Sequence, residues 1–153
     1  MKKLFTLFAA LALCAGMWAI DGVKYIDAKG QEQTADNVTE ITNSSSDLNA
    51  GWYVVTGADV QTRQLTCKGA VHLILADEAK LTAMGDDTDA TPGIEVSGGE
   101  RTLTVYGQAK QSGQLIANGG AVPDEMNSAA GIGGGWKGNG SNITINGGKV
   151  TAN

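Results

Sequence analysis

Short runs of alternating apolar and polar residues recur along most of the chain, each bounded by Gly, Asn, Asp or Pro. Three of them align: Lys80-Leu81-Thr82-Ala83-Met84-Gly85, Gln114-Leu115-Ile116-Ala117-Asn118-Gly119 and Lys149-Val150-Thr151-Ala152-Asn153. Leu81, Leu115 and Val150 stand 34 and 35 residues apart. A second series is His72-Leu73-Ile74-Leu75, Thr102-Leu103-Thr104-Val105 and Asn142-Ile143-Thr144-Ile145. A third is Gln64-Leu65-Thr66-Cys67, Gly93-Ile94-Glu95-Val96 and Gly131-Ile132-Gly133-Gly134. The period of two is that of short strands with one buried face. Trp52-Tyr53-Val54-Val55 reads as an earlier member of the first series.

The series follow one another in fixed order, which predicts an all-β fold. A cycle of three short strands every 30 residues or so is one coil of a right-handed parallel β-helix. Like strands then stack about 4.8 Å apart, each pairing with the coil above and below. Leu81, Leu115 and Val150 are expected to point inward with Ala83, Ala117 and Ala152. Leu65, Ile94 and Ile132 would line a second wall, and Leu73, Leu103 and Ile143 a third. Thr82, Ile116 and Thr151, and likewise Ile74, Thr104 and Thr144, would face outward. Asn118 and Asn153 fall at equivalent turns, where asparagine tolerates a left-handed backbone.

Residues 20–50 lack this cycle and predict an N-terminal β cap. Val23–Ile26 and Gln31–Ala35 flank Asp27-Ala28-Lys29-Gly30, a hairpin loop with glycine last. Val38–Thr42 is a further strand and Asn43–Asp47 a polar turn. Terminal units of a solenoid are usually atypical, because an open edge invites aggregation.

Composition agrees with many tight turns. Glycine makes up 22 of 153 residues and proline only 2. Charged residues are 18%, too few for a disordered chain, and the glycines follow no collagen-like period. The net charge of −5 excludes an electrostatic footprint for nucleic acid. Lys2, Lys3 and the apolar run Leu4–Leu13, followed by Ala15, Gly16 and Ala19, read as a signal peptide over residues 1–19. That run is too short to span a bilayer, so no transmembrane segment is expected. Leu13 before Cys14 departs from the acylated-lipoprotein pattern. The expected location is outside the cell or on its surface. Cleavage would remove Cys14 and leave Cys67 as a small buried hydrophobe without a disulfide partner.

The stretch Ala130-Gly131-Ile132-Gly133-Gly134-Gly135, with Asn142-Ile143-Thr144-Ile145-Asn146-Gly147-Gly148-Lys149-Val150-Thr151-Ala152, resembles the glycine-rich repeat of bacterial parallel β-helix proteins. In that group a "GIGGG…NITINGG.VTA" unit recurs many times. Tyr25–Gly30 followed by Gly51–Val55 is similar to exported proteins of Bacteroides-like bacteria. The resemblance implies a secreted or surface-displayed scaffold with an adhesin-like or carbohydrate-binding role, of which residues 51–153 would be the first coils.

Candidate chemistry is sparse. Asp86, Asp87 and Asp89 share a loop position with Asp124 and Glu125 one coil later, so five carboxylates would line one flank as hard oxygen ligands for Ca2+. A solvated acidic loop is the favoured account of them, since they miss the EF-hand spacing. Trp136 is the large aromatic of the glycine-rich loop, able to stack on a sugar ring or to shield the backbone around it. The Gly133-x-Gly135-x-x-Gly138 match leads into a strand, which a dinucleotide site does not. Pectin-cleaving β-helix enzymes combine an Asp pair with His and basic residues. Here His72 lies between Val71 and Leu73, apart from Asp86-Asp87, and reads as an exposed strand residue beside Thr102 and Asn142. The expectation is therefore a non-catalytic scaffold that binds polysaccharide or another surface protein. The alternatives are a calcium-dependent carbohydrate-binding module and the N-terminal part of a pectinase-like or lyase-like enzyme.

Overall fold

The computed structural model describes residues 19–122, 127–135 and 137–153. The leader over residues 1–18 with Cys14, and Asp124, Glu125 and Trp136, lie outside them. Among the described residues the chain is all-β, without a helix. Three sheets carry the structure. The largest has the order β1 (Ala19–Ile20), β4 (Val38–Glu40), β6 (Gly51–Val55), β9 (Ala70–Leu75), β12 (Thr102–Gly107) and β17 (Ile143–Ile145). It is parallel except at β1, which runs antiparallel to β4. The second sheet is β7 (Val60–Thr62), β10 (Lys80–Met84), β13 (Gln114–Asn118) and β18 (Lys149–Ala152). The third is β5 (Asp47–Leu48), β8 (Leu65–Cys67), β11 (Ile94–Glu95) and β16 (Ile132–Gly133). From β6 onward the chain visits the three in constant rotation. Two small antiparallel pairs complete the strands: β2 (Val23–Ile26) with β3 (Glu32–Ala35), and β14 (Ala121–Val122) with β15 (Asn127–Ser128).

The repeated sequence sets the pairing. Leu81 lies beside Leu115, and Leu115 beside Val150, with Ala83, Ala117 and Ala152 in the same register. Leu65, Ile94 and Ile132 form the matching ladder of the third sheet. Because side chains alternate along each strand, one apolar row per sheet faces the interior. Val55, Leu65, Leu73, Leu75, Leu81, Ile94, Leu103, Val105 and Leu115 are all fully buried in one core. Burial of each such side chain contributes about 1.5–3 kcal/mol. Thr62 enters this core from β7 with a hydroxyl that finds no hydrogen-bond partner among the described residues.

Glycine allows the corners to close. A Cβ on Gly131 would lie 2.3 Å from the Ala117 carbonyl oxygen and 2.6 Å from the Asn153 amide nitrogen. Polar side chains staple other corners. The Asp77 carboxylate accepts hydrogen bonds from the Lys110 and Ser112 amides, and the Gln111 side-chain oxygen accepts one from Gly148. Asn153 donates through its side-chain amide to the Asn118 side-chain oxygen at 2.8 Å. Asn118 and Asn153 thus form an amide rung, and neither is among the residues with left-handed backbone.

Three features differ from the sequence expectation. Trp52–Val55 belongs to the sheet of the second series, where Trp52 pairs with His72; Val60–Thr62 is the earlier member of the first. Leu103 pairs with Val71 and Thr104 with His72, a slip of two residues. A two-residue slip keeps every side chain on its own face, so alternation alone does not distinguish the two registers. Asp47, expected in a turn, begins β5.

The β2–β3 hairpin lies on the outer face of the large sheet. Its loop is tied by the Asp27 carboxylate, which accepts hydrogen bonds from the Lys29 and Gln31 amides and from Gln33. Gly30 takes φ of +75° at the turn. Asp21 and Asp36 anchor the hairpin ends by accepting from the Asn37 and Gly22 amides. Ala35, Val38, Val54 and Ile74 make a second, smaller core beneath it, with Val23 and Tyr25 packed against them. Ile74 therefore points outward, as its alternation requires, yet is fully buried.

Candidate functional site

Four rings meet where the hairpin stops covering the large sheet. Trp52 on β6 and His72 on β9 are register partners on the outer face, so their rings stack, with centroids 4.5 Å apart and planes 21° apart. Tyr106 on β12 pairs with Ile74, which puts its ring diagonal to His72 at 6.1 Å and 5.3 Å from Trp52. Tyr25 reaches them from the hairpin, 4.8 Å from both Trp52 and Tyr106. Gln108 holds the hairpin in place by donating to the Lys24 carbonyl at 2.9 Å. All four rings are half-buried.

Burial lowers the His72 pKa from its usual 6.5, favouring the uncharged ring. Burial first, and the neighbouring Tyr25 next, raise the Tyr106 hydroxyl. His72 Nδ1 and the Tyr106 hydroxyl are 3.3 Å apart. The arrangement offers apolar ring faces with polar tips at the rim, the chemistry that suits a ligand with apolar and hydroxylated sides. His72 is thus half-buried, and its strand neighbours are Trp52 and Thr104 in place of Thr102 and Asn142.

The acidic loop sits elsewhere, at the corner between β10 and β11. Arg63, Met84, Asp86, Asp87, Thr88 and Asp89 line an open groove of about 600 Å3 there. The loop stacks on the following turn, since Gly85 donates to the Asn118 carbonyl and Gly120 to the Thr91 carbonyl. Asp86 accepts from the Thr88 amide at 2.7 Å. Hydrogen bonds from Thr88 lead the causes that hold its carboxyl below the usual range, with Arg63 adding to them. Asp87 accepts from the Ala121 amide at 3.0 Å and so joins the loop to β14. Among the described residues no three His, Cys, Asp or Glu side chains converge as a metal ion requires. Asp89 is exposed, and Asp124 and Glu125 lie outside the described residues. The Asp86-Asp87 pair occupies this corner, while His72 stands on the outer face of another sheet.

Cys67 is fully buried, and burial pushes its thiol up to about 12, so it stays protonated and packs as a small apolar group. Among the described residues no helix is long and apolar enough to cross a membrane.

Sequence reasoning did not find the ring cluster, because its members are scattered along the chain and the key pair depends on the register of β9. One signal was present: Val54 and Ile74 stand at outward positions, and two aliphatic residues on an outer face require something to cover them. No family model, curated protein or solved structure matches the chain.

Proposed function

We propose that the chain is an exported, right-handed parallel β-helix that serves as a non-catalytic scaffold and binds polysaccharide at the cell surface. The fixed rotation of strands through three parallel sheets, in register at intervals of about one coil, supports the helical reading. The leader-like residues Lys2, Lys3 and Leu4–Leu13 support export. The observation that carries the binding reading is the half-exposed cluster of Trp52, His72, Tyr106 and Tyr25. Its rings are pre-positioned by strand pairing, so little side-chain freedom is lost when a sugar ring stacks on them.

Affinity electrophoresis in gels containing neutral glucan, xylan, mannan or pectin tests this reading. At least one polysaccharide is expected to retard the chain, and Tyr106→Ala and Trp52→Ala to weaken that retardation about tenfold. The circular dichroism of each variant reports whether it remains folded. Equal retardation of folded variants and wild type would move the site away from the cluster; no retardation in any gel would remove the binding role. A chelator arm separates the calcium-dependent reading, which would place binding on Asp86, Asp87 and Asp89 with Asp124 and Glu125.

A further inference from the structure

The outer face of the large sheet continues past the rings. Val71 and Leu73 point into the core, so Ala70 and His72 share the outer face of β9, and Ala70 is exposed. Ala50 lies against Gly69, where a Cβ would come within 2.9 Å of its own. These three small residues line an open groove of about 650 Å3. No outward residue of β9 separates Ala70 from His72, so the stacked His72 and Trp52 rings stand at one end of the groove.

The other end is charged. Lys68 and Arg101 line the groove, while the carboxylates that pair with them, Asp47 at 3.4 Å and Glu95 at 4.0 Å, do not. Both pairs are long and partly exposed, so they hold the cations weakly. Among the described residues Glu100 is the one acidic residue of the lining, which leaves an excess of positive charge there in a chain of net charge −5. The loop beside it adds no side chains. Gly98 and Gly99 take φ of +78° and +54°, and a Cβ on either would meet nothing within 4 Å. Arg101 precedes Thr102, the register partner of Ala70, and so stands three residues before the level of His72. Along the strand direction that is about 10 Å, room for two linked sugar rings.

We propose that this groove is a second subsite beside the rings and selects a polysaccharide that contains uronic acid; the inference rests on the ring cluster being a sugar site. One sugar packs its apolar face against Trp52 and His72. The next lies over Ala50 and Ala70 and directs its carboxylate to Arg101 and Lys68. The planar guanidinium can take a carboxylate through two parallel hydrogen bonds, and Lys68 adds a point charge. Both cations exchange a weak, solvated partner for one held in place by the stacked sugar. Glu100 opposes the same carboxylate.

Calorimetric titration with short oligosaccharides of alginate and of hyaluronan, each beside its methyl ester, tests this. The ester keeps the sugar chain and removes the charge. At least one acidic form is expected to bind about tenfold more tightly than its ester, an advantage that shrinks in about 1 M salt. The Lys68→Gln, Arg101→Gln double variant should abolish that advantage and leave the ester unchanged. Glu100→Gln, an exposed substitution, should bind the acidic form more tightly than wild type. Trp52→Ala should weaken acid and ester alike. Circular dichroism reports whether each variant is folded. Equal binding of acid and ester by wild type, with Trp52→Ala weakening both, would overturn this inference and leave the ring site standing. Acid binding that needs Lys68 and Arg101 but not Trp52 would overturn the joined site and the ring reading. Binding of neither form would remove both.

Discussion

At the scale of single residues, His72 joins burial to a titration in the accessible pH range. Its folded pKa lies below the unfolded value of 6.5, so the unfolded chain binds the proton more readily. The contribution of the neutral ring is complete above about pH 6.5 and is lost as pH falls through the depressed native value. The melting temperature of the wild type should therefore fall between pH 7.5 and 5.5 by more than that of His72→Phe. An identical fall in both would show that His72 is freely solvated. Gly131 is governed by space alone: its carbonyl accepts the Ile94 amide at 2.9 Å, so the backbone cannot retreat without losing that bond. Gly131→Ala should cost at least about 2 kcal/mol, in the range of overpacking, measured by urea unfolding. Thr62→Val should do the reverse. Removing a buried hydroxyl that has no partner among the described residues is expected to raise stability by about 1 kcal/mol.

At the scale of elements, one strand position can be compared between neighbouring turns. Leu103 and Ile143 are register partners, the first fully buried and the second 36% exposed. Leu103→Ala should cost about 2–5 kcal/mol, and Ile143→Ala less than about 1.5 kcal/mol. Equal costs by chemical denaturation would mean that the last turn is as enclosed as the one before it. The same comparison explains what could be read beforehand. The Leu81–Leu115–Val150 and Leu65–Ile94–Ile132 ladders were legible because each turn repeats the residues around its inward position. The Leu103–Val71 pairing was not, since His72 to Leu75 fits either of two registers that share the same faces. Of the candidate site, Asp86, Asp87 and Asp89 were legible as a loop cluster. What they do locally was not: Asp86 caps its own turn and Asp87 reaches the next one. The ring cluster escaped because Tyr25 and Tyr106 meet only after the hairpin folds across the sheet.

At the scale of the whole molecule, enclosure varies across the three sheets and stability should vary with it. A strand in the middle of a sheet is paired on both sides, so opening it exposes two neighbours. Among the described residues β16, β17 and β18 each pair with a strand on one side only, and their inward residues are partly wetted. Opening them exposes little further apolar surface and breaks one ladder per sheet. Local opening free energies run from near zero up to the global value, according to how much packing each unit shares. The Asn142 carbonyl and the Asn146 amide face β12, so by alternation the Thr144 amide is directed toward β12 as well. Its exchange therefore reports opening of the last turn and does not reflect an unbonded donor. The Val105 amide is the matching probe one turn inward, because it faces β17 in the same ladder. It loses that partner whenever the last turn opens, so it should exchange with Thr144. The Leu73 amide, which faces the β6–β9–β12 interior and lies two turns from the edge, should exchange at least about a hundredfold more slowly, as opening that deep approaches global unfolding. Equal protection of Thr144, Val105 and Leu73 would show instead that the stack opens only as one unit, with cooperativity between turns outweighing the incomplete enclosure of the last.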